Sequence, residues 1–421
     1  MEKIIIGGGV PLYGRVKVDG MKNAAGAVLY AGIVTGGKYT ISNLPQISEV
    51  QTTLDILKSL GANVTFSDGT AFIDASGVKN VRPLDELVKK LRASYYLAGA
   101  MLARFGKAEM AFPGGCDLGA RPIDQHIKAF RALGADAYSD ENTIRLSAPD
   151  GLHGAEIFFD CVTVGGTMNA MIAALGADGT TIINNAAREP HVVDLANFLN
   201  TCGAKISGAG TGVIKVRGGM LHGCAYDIIP DMLEAGTYMV AAAATRGDVY
   251  VDGIIPRHIE TISAKLVEMG AEITEYDDGV RVRVPGGKMR CTTVKTMPYP
   301  GFPTDMQPLM AALMCASSGV GMINETVYDN RFRYVDELRR MGAKISAEGR
   351  RAEIIGVDKL TPASVRAVDL RAGAAMIIAA LETPGKTEID DIYHIERGYS
   401  NIVEKLKNLG ADIKKVNYTS V

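Results

Sequence analysis

Val162-Thr-Val-Gly-Gly-Thr-Met-Asn-Ala-Met-Ile-Ala-Ala-Leu175 carries no charge, and it is followed by Thr180-Thr-Ile-Ile-Asn184 and then by Cys202-Gly203-Ala204-Lys-Ile-Ser207. A helical stretch with no polar face has to be buried, so the first segment reads as a core helix. The second, rich in β-branched residues after Gly179, reads as a strand. Between them and the third lies a two-faced stretch, Val193 to Thr201, that reads as an amphipathic helix packed on one side only. Gly203 stops that helix, because glycine accepts the left-handed backbone in which helices commonly end, and Ala204 to Ser207 opens the next strand.

The closing triplet recurs. Leu60-Gly61-Ala62, Leu133-Gly134-Ala135, Cys202-Gly203-Ala204, Met269-Gly270-Ala271, Met341-Gly342-Ala343 and Leu409-Gly410-Ala411 place their glycines 73, 69, 67, 72 and 68 residues apart. A fixed period reports one supersecondary unit used repeatedly. The same order of helix, strand, loop, helix and strand returns at residues 22–66, 92–137, 231–274, 305–346 and 371–414. In each, the first helix is small or apolar all round and the second is amphipathic. The expected fold is therefore α/β: a two-lobed inside-out α/β barrel of six repeats, each a two-helix/four-strand unit, three per lobe around buried helices. Residues 22–229 form the expected first lobe, and residues 1–21 with 230–421 the second. The stretch Glu2 to Val18 precedes the first repeat and could by itself pair with either lobe.

Composition agrees with a large packed enzyme: 421 residues, 47% hydrophobic. The net charge of −2, with no basic run longer than a pair such as Lys89-Lys90, argues against a nucleic-acid partner. Met306 to Ile323 is uncharged over 18 residues, but Gln307, Pro308, Ser317, Ser318 and two glycines interrupt it, so no membrane insertion is expected. No signal or lipidation motif opens the sequence. The cysteines at 116, 161, 202, 224, 291 and 315 show no metal-binding spacing, which implies free thiols, no structural metal and a cytoplasmic location.

Chemistry is to be sought where the repeats differ. The mouth of the buried helix reads Lys22-Asn23, Arg92, Thr163-Val164, Asp231, Asp305 and Arg371 in the six copies. Ordinary capping suits Asp231 and Asp305. It does not suit Lys22, Arg92 and Arg371, since cations oppose the helix dipole unless an anion lies between. An arginine also precedes the repeat glycine by 11 to 15 residues in five copies: Arg121, Arg188, Arg257, Arg331 and Arg397. Guanidinium matches carboxylate and phosphate with paired donors, so this concentration points to a polyanionic ligand. Arg257 is the first candidate for a plain surface ion pair. Copy two alone carries a glycine-rich loop, Phe112-Pro-Gly-Gly-Cys-Asp-Leu-Gly-Ala-Arg121-Pro122-Ile123-Asp124, that sets a thiol near an arginine. Cys116 reads as a nucleophile or proton donor. The other five cysteines read as buried small hydrophobes.

These segments, with Ala186-Ala-Arg-Glu-Pro190, Phe302-Pro-Thr-Asp305-Met-Gln307, Asn324-Glu-Thr-Val327, Asn330-Arg-Phe332, Asp369-Leu-Arg-Ala372 and His394-Ile-Glu-Arg-Gly-Tyr399, together resemble the enolpyruvyl transferases that act on UDP-N-acetylglucosamine. The resemblance covers essentially the whole chain. It implies two inside-out lobes with the chain crossing twice between them, and phosphoenolpyruvate and UDP-N-acetylglucosamine as substrates. It implies enolpyruvyl transfer to the sugar 3-hydroxyl through a tetrahedral intermediate, with phosphate released, as the first committed step of peptidoglycan synthesis. Cys116 aligns with the family's proton donor, the residue that fosfomycin alkylates and that forms a pyruvyl thioketal adduct with phosphoenolpyruvate; no separate cofactor and no metal are implied. Asp305 aligns with the general base. Lys22, Arg121 and Arg397 align with phosphate contacts, and Arg331 and Arg371 with carboxylate contacts. Asn23 and Arg92 join them, while Arg121, Pro122, Ile123, Asp124, Gln125, Thr163, Val164 and Val327 align with nucleotide-sugar contacts. Glu189 and Asp231 align with supporting residues. Three positions depart from the family pattern: Cys161 where a basic residue is usual beside the uridine, Thr163 where serine is usual, and Met232 where arginine is usual. The related transferase acting on shikimate 3-phosphate, which lacks the cysteine, and a non-catalytic paralogue are the alternatives.

Overall fold

The computed structural model describes residues 2–114 and 121–418; the Cys116 loop tip lies outside the described residues. Within the described chain, residues 2–19 and 230–418 form one compact unit and residues 20–114 and 121–229 the other. The N-terminal stretch goes with the C-terminal half.

Among the described residues, twelve helices alternate in kind, apart from the one-turn helices Asp85–Val88 and Tyr393–Glu396. The buried ones are α1 (Lys22–Ala31), α3 (Tyr96–Phe105), α5 (Val164–Ala174), α7 (Met232–Ala244), α9 (Gln307–Cys315) and α11 (Leu370–Glu382). The outer ones are α2 (Ser48–Ser59), α4 (Asp124–Ala132), α6 (Pro190–Thr201), α8 (Glu260–Met269), α10 (Val335–Arg340) and α12 (Ile402–Asn408). In one unit α3 packs on both α1 and α5, and in the other α7, α9 and α11 pack on one another. Every residue of α7 is buried. Small side chains permit this closeness: a Cβ on Gly99 of α3 would come 2.2 Å from the Asn169 Oδ1 of α5. That oxygen instead accepts the Gly99 N–H at 3.0 Å, and the Asn169 amide donates to the Tyr95 carbonyl at 2.9 Å, so the buried polar group ties two core helices together.

The repeated triplet has a single structural meaning. Gly61, Gly134, Gly203, Gly270, Gly342 and Gly410 all have positive φ, from 84° to 112°. In every copy the alanine N–H reaches back to a carbonyl five residues earlier, on Leu57, Phe130, Leu199, Leu266, Leu338 and Leu406 in turn. This is a Schellman cap, whose usual apolar contact joins the residue after the glycine to the one that supplies the carbonyl. Alanine fits there beside a large apolar partner, which accounts for the third letter of the triplet.

Among the described residues, six sheets of three or four strands flank the helices, and a seventh pairs Leu152–His153 with Ala177–Asp178. Five share one order, as in Ala225–Asp227, Lys38–Ser42, Thr70–Asp74 and Asn63–Ser67, where the first pair is parallel and the other two antiparallel. Copy two shows three strands among the described residues, Lys107–Ala111, Thr143–Ser147 and Asp136–Ser139, instead of the expected four. The parallel edge strand comes from elsewhere in the chain. Ala225–Asp227, after the third copy, joins the first copy's sheet and so closes one unit on itself. In the other unit Glu2–Gly8 inserts between Gly385–Asp390 and Asp412–Asn417, and Tyr13–Lys17 becomes the edge of the fourth copy's sheet. The two N-terminal strands thus enter the sheets of the sixth and fourth copies. Lys405 anchors its exit, pairing with Asp19 at 2.9 Å and with buried Glu234 at 2.7 Å. No helix among the described residues is long and apolar enough to cross a membrane.

Candidate active site

In the unit of residues 20–229 the basic residues at helix mouths already have partners. Lys22 begins α1, and its Nζ lies 3.2 Å from Glu49 Oε2 in the first turn of α2, with both side chains largely buried. Arg92 opens the short 3-10 turn before α3, donates to the Arg121 carbonyl and lies over the rings of Tyr95 and Phe112. A cation at a helix N-terminus is tolerable only with such an acceptor close by. Asn23 and Arg121 are half-buried, Pro122 and Asp124 exposed, and Ile123 and Gln125 buried. Gln125 donates to Asp124 at 2.7 Å and to Asp160 at 3.0 Å, and accepts the Asp160 N–H at 3.0 Å, fixing the start of α4. Beneath it, burial pushes His126 down to about 3, so the neutral ring accepts from Asn169 through Nδ1 at 3.0 Å. Thr163 caps α5 by accepting the Gly166 N–H at 3.2 Å, the task a serine would perform; Val164 is the first residue of the helix.

In the other unit Asp305 stands between two arginines. Its Oδ1 accepts from Arg331 Nη2 at 2.8 Å, and its Oδ2 accepts from Arg371 Nε at 3.2 Å. Both guanidiniums are buried, at 3% and 4% side-chain exposure, while Asp305 keeps 28%. Asp305 is not at an N-cap: it lies inside the 3-10 turn Thr304–Met306, whose N-cap is Pro303, and the N-cap of α9 is Met306. The capping reading does hold for Asp231, which accepts the Leu233 and Glu234 N–H groups; Asp369, outside that reading, caps α11. Burial works against the Arg371 charge, but Tyr399, Asp305 and Asp231 outweigh it and hold the group above its ordinary value. Arg371 Nη1 also donates to the Tyr399 hydroxyl at 2.8 Å, which is 2.8 Å from Thr237 Oγ1 on α7. Among the described residues the buried Arg331 Nε has no hydrogen-bond partner, a donor suited to a further anionic oxygen. Arg397 follows the one-turn helix Tyr393–Glu396 and is half-buried.

Sequence reading did not assign roles to Glu49, Glu325 or Tyr399. Buried Glu325 accepts from Thr296 at 2.9 Å, from Thr304 beside Asp305 at 2.8 Å, and from the N–H of Val327 at 2.7 Å. One carboxylate thus fixes both the Asp305 turn and the Val327 loop, where Val327 is exposed. An isolated glutamate in Asn324-Glu-Thr-Val327 carries no local signal for that. The buried reading of the cysteines needs correction: Cys202 and Cys315 are buried, Cys224 and Cys291 half-buried, and Cys161 exposed. Cys161 follows Asp160, which bonds to Gln125 and Lys128 of α4. Met232 is buried as the first residue of α7, contributing apolar contact where a charge was expected. Among the described residues no cluster of three or more candidate metal ligands occurs.

Buried arginines paired with an acidic residue suit anionic ligands, and comparison identifies the class. The family profile of EPSP synthase (3-phosphoshikimate 1-carboxyvinyltransferase) matches residues 6–406, and the chain belongs to this family of carboxyvinyl transferases. It is 54% identical over 417 residues to UDP-N-acetylglucosamine 1-carboxyvinyltransferase 3 of Caldanaerobacter subterraneus subsp. tengcongensis, covering 99% of this chain and 100% of the relative. It is 48% identical over 422 residues to UDP-N-acetylglucosamine 1-carboxyvinyltransferase 2 of Bacillus subtilis, covering 100% of this chain and 98% of the relative. Among solved structures, the enolpyruvyl transferase NikO from Streptomyces tendae superposes with a TM-score of 0.88 at 25% identity, over 99% of both chains. EPSP synthase from Acinetobacter baumannii shares the fold, with a TM-score of 0.76 at 17% identity, over 99% of this chain and 100% of that one.

Proposed function

We propose that this chain transfers the enolpyruvyl group of phosphoenolpyruvate to the 3-hydroxyl of UDP-N-acetylglucosamine with release of phosphate, the first committed step of peptidoglycan synthesis, in the cytoplasm. The full-length identity to enzymes of that name supports the reading, and the observation that carries the chemistry is Asp305 paired with buried Arg331 and Arg371.

Addition needs a proton on the methylene carbon of phosphoenolpyruvate and loss of one from the sugar hydroxyl. Cys116 is assigned the first task and Asp305 the second. Arg331 and Arg371 receive the substrate carboxylate, and Lys22, Arg121 and Arg397 the phosphate. Asn23 and Arg92 complete these contacts, and residues 121–125 with Thr163, Val164 and Val327 hold the nucleotide sugar. Fixed cations aimed at developing charge lower the barrier because they need no reorganisation during reaction. Asp305 in the substrate-free chain has one lone pair on each oxygen committed to a guanidinium. An incoming carboxylate that takes over those donors releases Asp305 to accept the hydroxyl proton, so substrate binding and base activation are one event. Near the exposed Cys161, Lys128 offers a cation that Asp160 engages at 2.7 Å. The chain needs no metal or separate cofactor in this scheme; a thioketal on Cys116 is a side state of its own substrate.

Phosphate release tests the reading. Protein with phosphoenolpyruvate and UDP-N-acetylglucosamine is expected to liberate phosphate only when the nucleotide sugar is present. Release with shikimate 3-phosphate in its place, or no release with either, would overturn it.

A further inference from the structure

Cys202 and Cys224 bring their sulfurs to 3.2 Å. Cys202 is the only cysteine in the six repeat triplets and ends α6, while Cys224 immediately precedes the strand Ala225–Asp227 that closes the unit by pairing with Lys38–Ser42. Backbone bonds hold both sites. The Cys202 carbonyl accepts the His222 N–H at 2.9 Å, and the Cys224 carbonyl accepts the Thr40 N–H at 2.8 Å. Gly223 lies so close to Lys38 that a Cβ would meet its carbonyl oxygen at 1.6 Å, which leaves the strap one path. Two residues beyond Cys224, the Tyr226 hydroxyl donates to Asp194 of α6 at 2.6 Å, and its ring packs edge-on against Phe198 at 5.5 Å. The strap is thus fastened to α6 at two successive inward positions, one of them a thiol pair.

We propose that Cys202 and Cys224 form a redox latch, a reversible intramolecular disulfide that fastens the closing strap of this unit to α6. The oxidant is a hydroperoxide. The Cys224 thiolate attacks one peroxide oxygen, giving a sulfenic acid and releasing water (or the alcohol). The Cys202 sulfur then attacks the Cys224 sulfur, expels a second water and completes the S–S bond; two thiols are oxidised and one peroxide is reduced. Cys224 reacts first because it is half-buried where Cys202 is buried. Burial raises both thiols, and the hydrogen bond between them adds to the rise at Cys202 and offsets it at Cys224. Thiolate is the reactive form, so oxidation is slower here than at an exposed, activated thiol. This latch does not depend on the proposed reaction.

The full-length reduced protein is treated with hydrogen peroxide, blocked with N-ethylmaleimide and digested with trypsin without reduction. Peptides 189–205 and 218–246 each hold one of the two cysteines. They are expected to appear linked, two hydrogens lighter than their sum, and to separate with dithiothreitol. Oxidised protein is expected to unfold several degrees higher, an effect absent in Cys224→Ser and Cys224→Ala treated alike. Two results would each overturn the latch: both cysteines recovered as maleimide adducts after peroxide has consumed Cys161, or Cys202 linked as often to Cys116, Cys161, Cys291 or Cys315 as to Cys224.

Discussion

Replacing Asp305 by asparagine separates two effects that the geometry couples. The substitution keeps the shape and one acceptor oxygen but removes the charge that Arg331 and Arg371 share at 2.8 and 3.2 Å. A hydrogen bond to a charged group contributes about 1.5–3 kcal/mol. If substrate carboxylate must displace Asp305 from both arginines, removing the competitor leaves on the order of 1.4 kcal/mol in favour of binding, about tenfold in affinity. The same change removes the proton acceptor, for which a loss of roughly 10²–10⁴ in turnover is expected. Substrate-free Asp305→Asn protein is also expected to be less stable by about 2 kcal/mol, since two buried cations lose a shared counter-charge. Calorimetric titration of phosphoenolpyruvate without nucleotide sugar reads the first quantity, and phosphate release the second. Weaker phosphoenolpyruvate binding by Asp305→Asn would refute the exchange of partners, and wild-type turnover would remove Asp305 as base.

Three further tests address other levels of the structure. Gly203→Ala is expected to destabilise more than Gly410→Ala, because both have φ near 100° but a Cβ at 203 would come 2.7 Å from the Met220 carbonyl oxygen while the space at 410 is open; about 1 kcal/mol at 410 and 2–3 at 203 should appear in denaturant unfolding, and equal losses would refute the packing argument. Burial raises Asp194 from 3.8 to about 6, so its protonated form adds stability below pH 4 that is lost as pH rises through 6, roughly 3 kcal/mol in all; Asp194→Asn should therefore gain on wild type between pH 4.5 and pH 8 in thermal unfolding, and parallel curves would count against it. Cys116→Ser should lose most turnover yet still bind the nucleotide sugar, and fosfomycin should add its mass to the Cys116 peptide alone, with labelling of Cys161 instead reversing the assignment.

The buried helices and the glycines that end the outer ones were legible in the residues alone. Those properties are local. A Schellman cap is closed by backbone bonds spanning five residues, and a helix of alanine, glycine and methionine has no face to offer water. The sequence also marked Lys22, Arg92 and Arg371 as cations out of place at helix mouths. What those cations touch was decided only in three dimensions. Arg331 reaches Asp305 across 26 residues and Arg371 across 66, so the same aspartate that reads locally as a cap becomes a shared counter-ion. Glu325 gains its role because Thr296, Thr304 and the Val327 N–H converge on one buried carboxylate, and no residue near it in the chain announces that. The ends of each unit are likewise tertiary matters: an edge strand contributes only backbone donors and acceptors, which every sequence has, and so Tyr13–Lys17 finds Asp248–Asp252 through position rather than pattern.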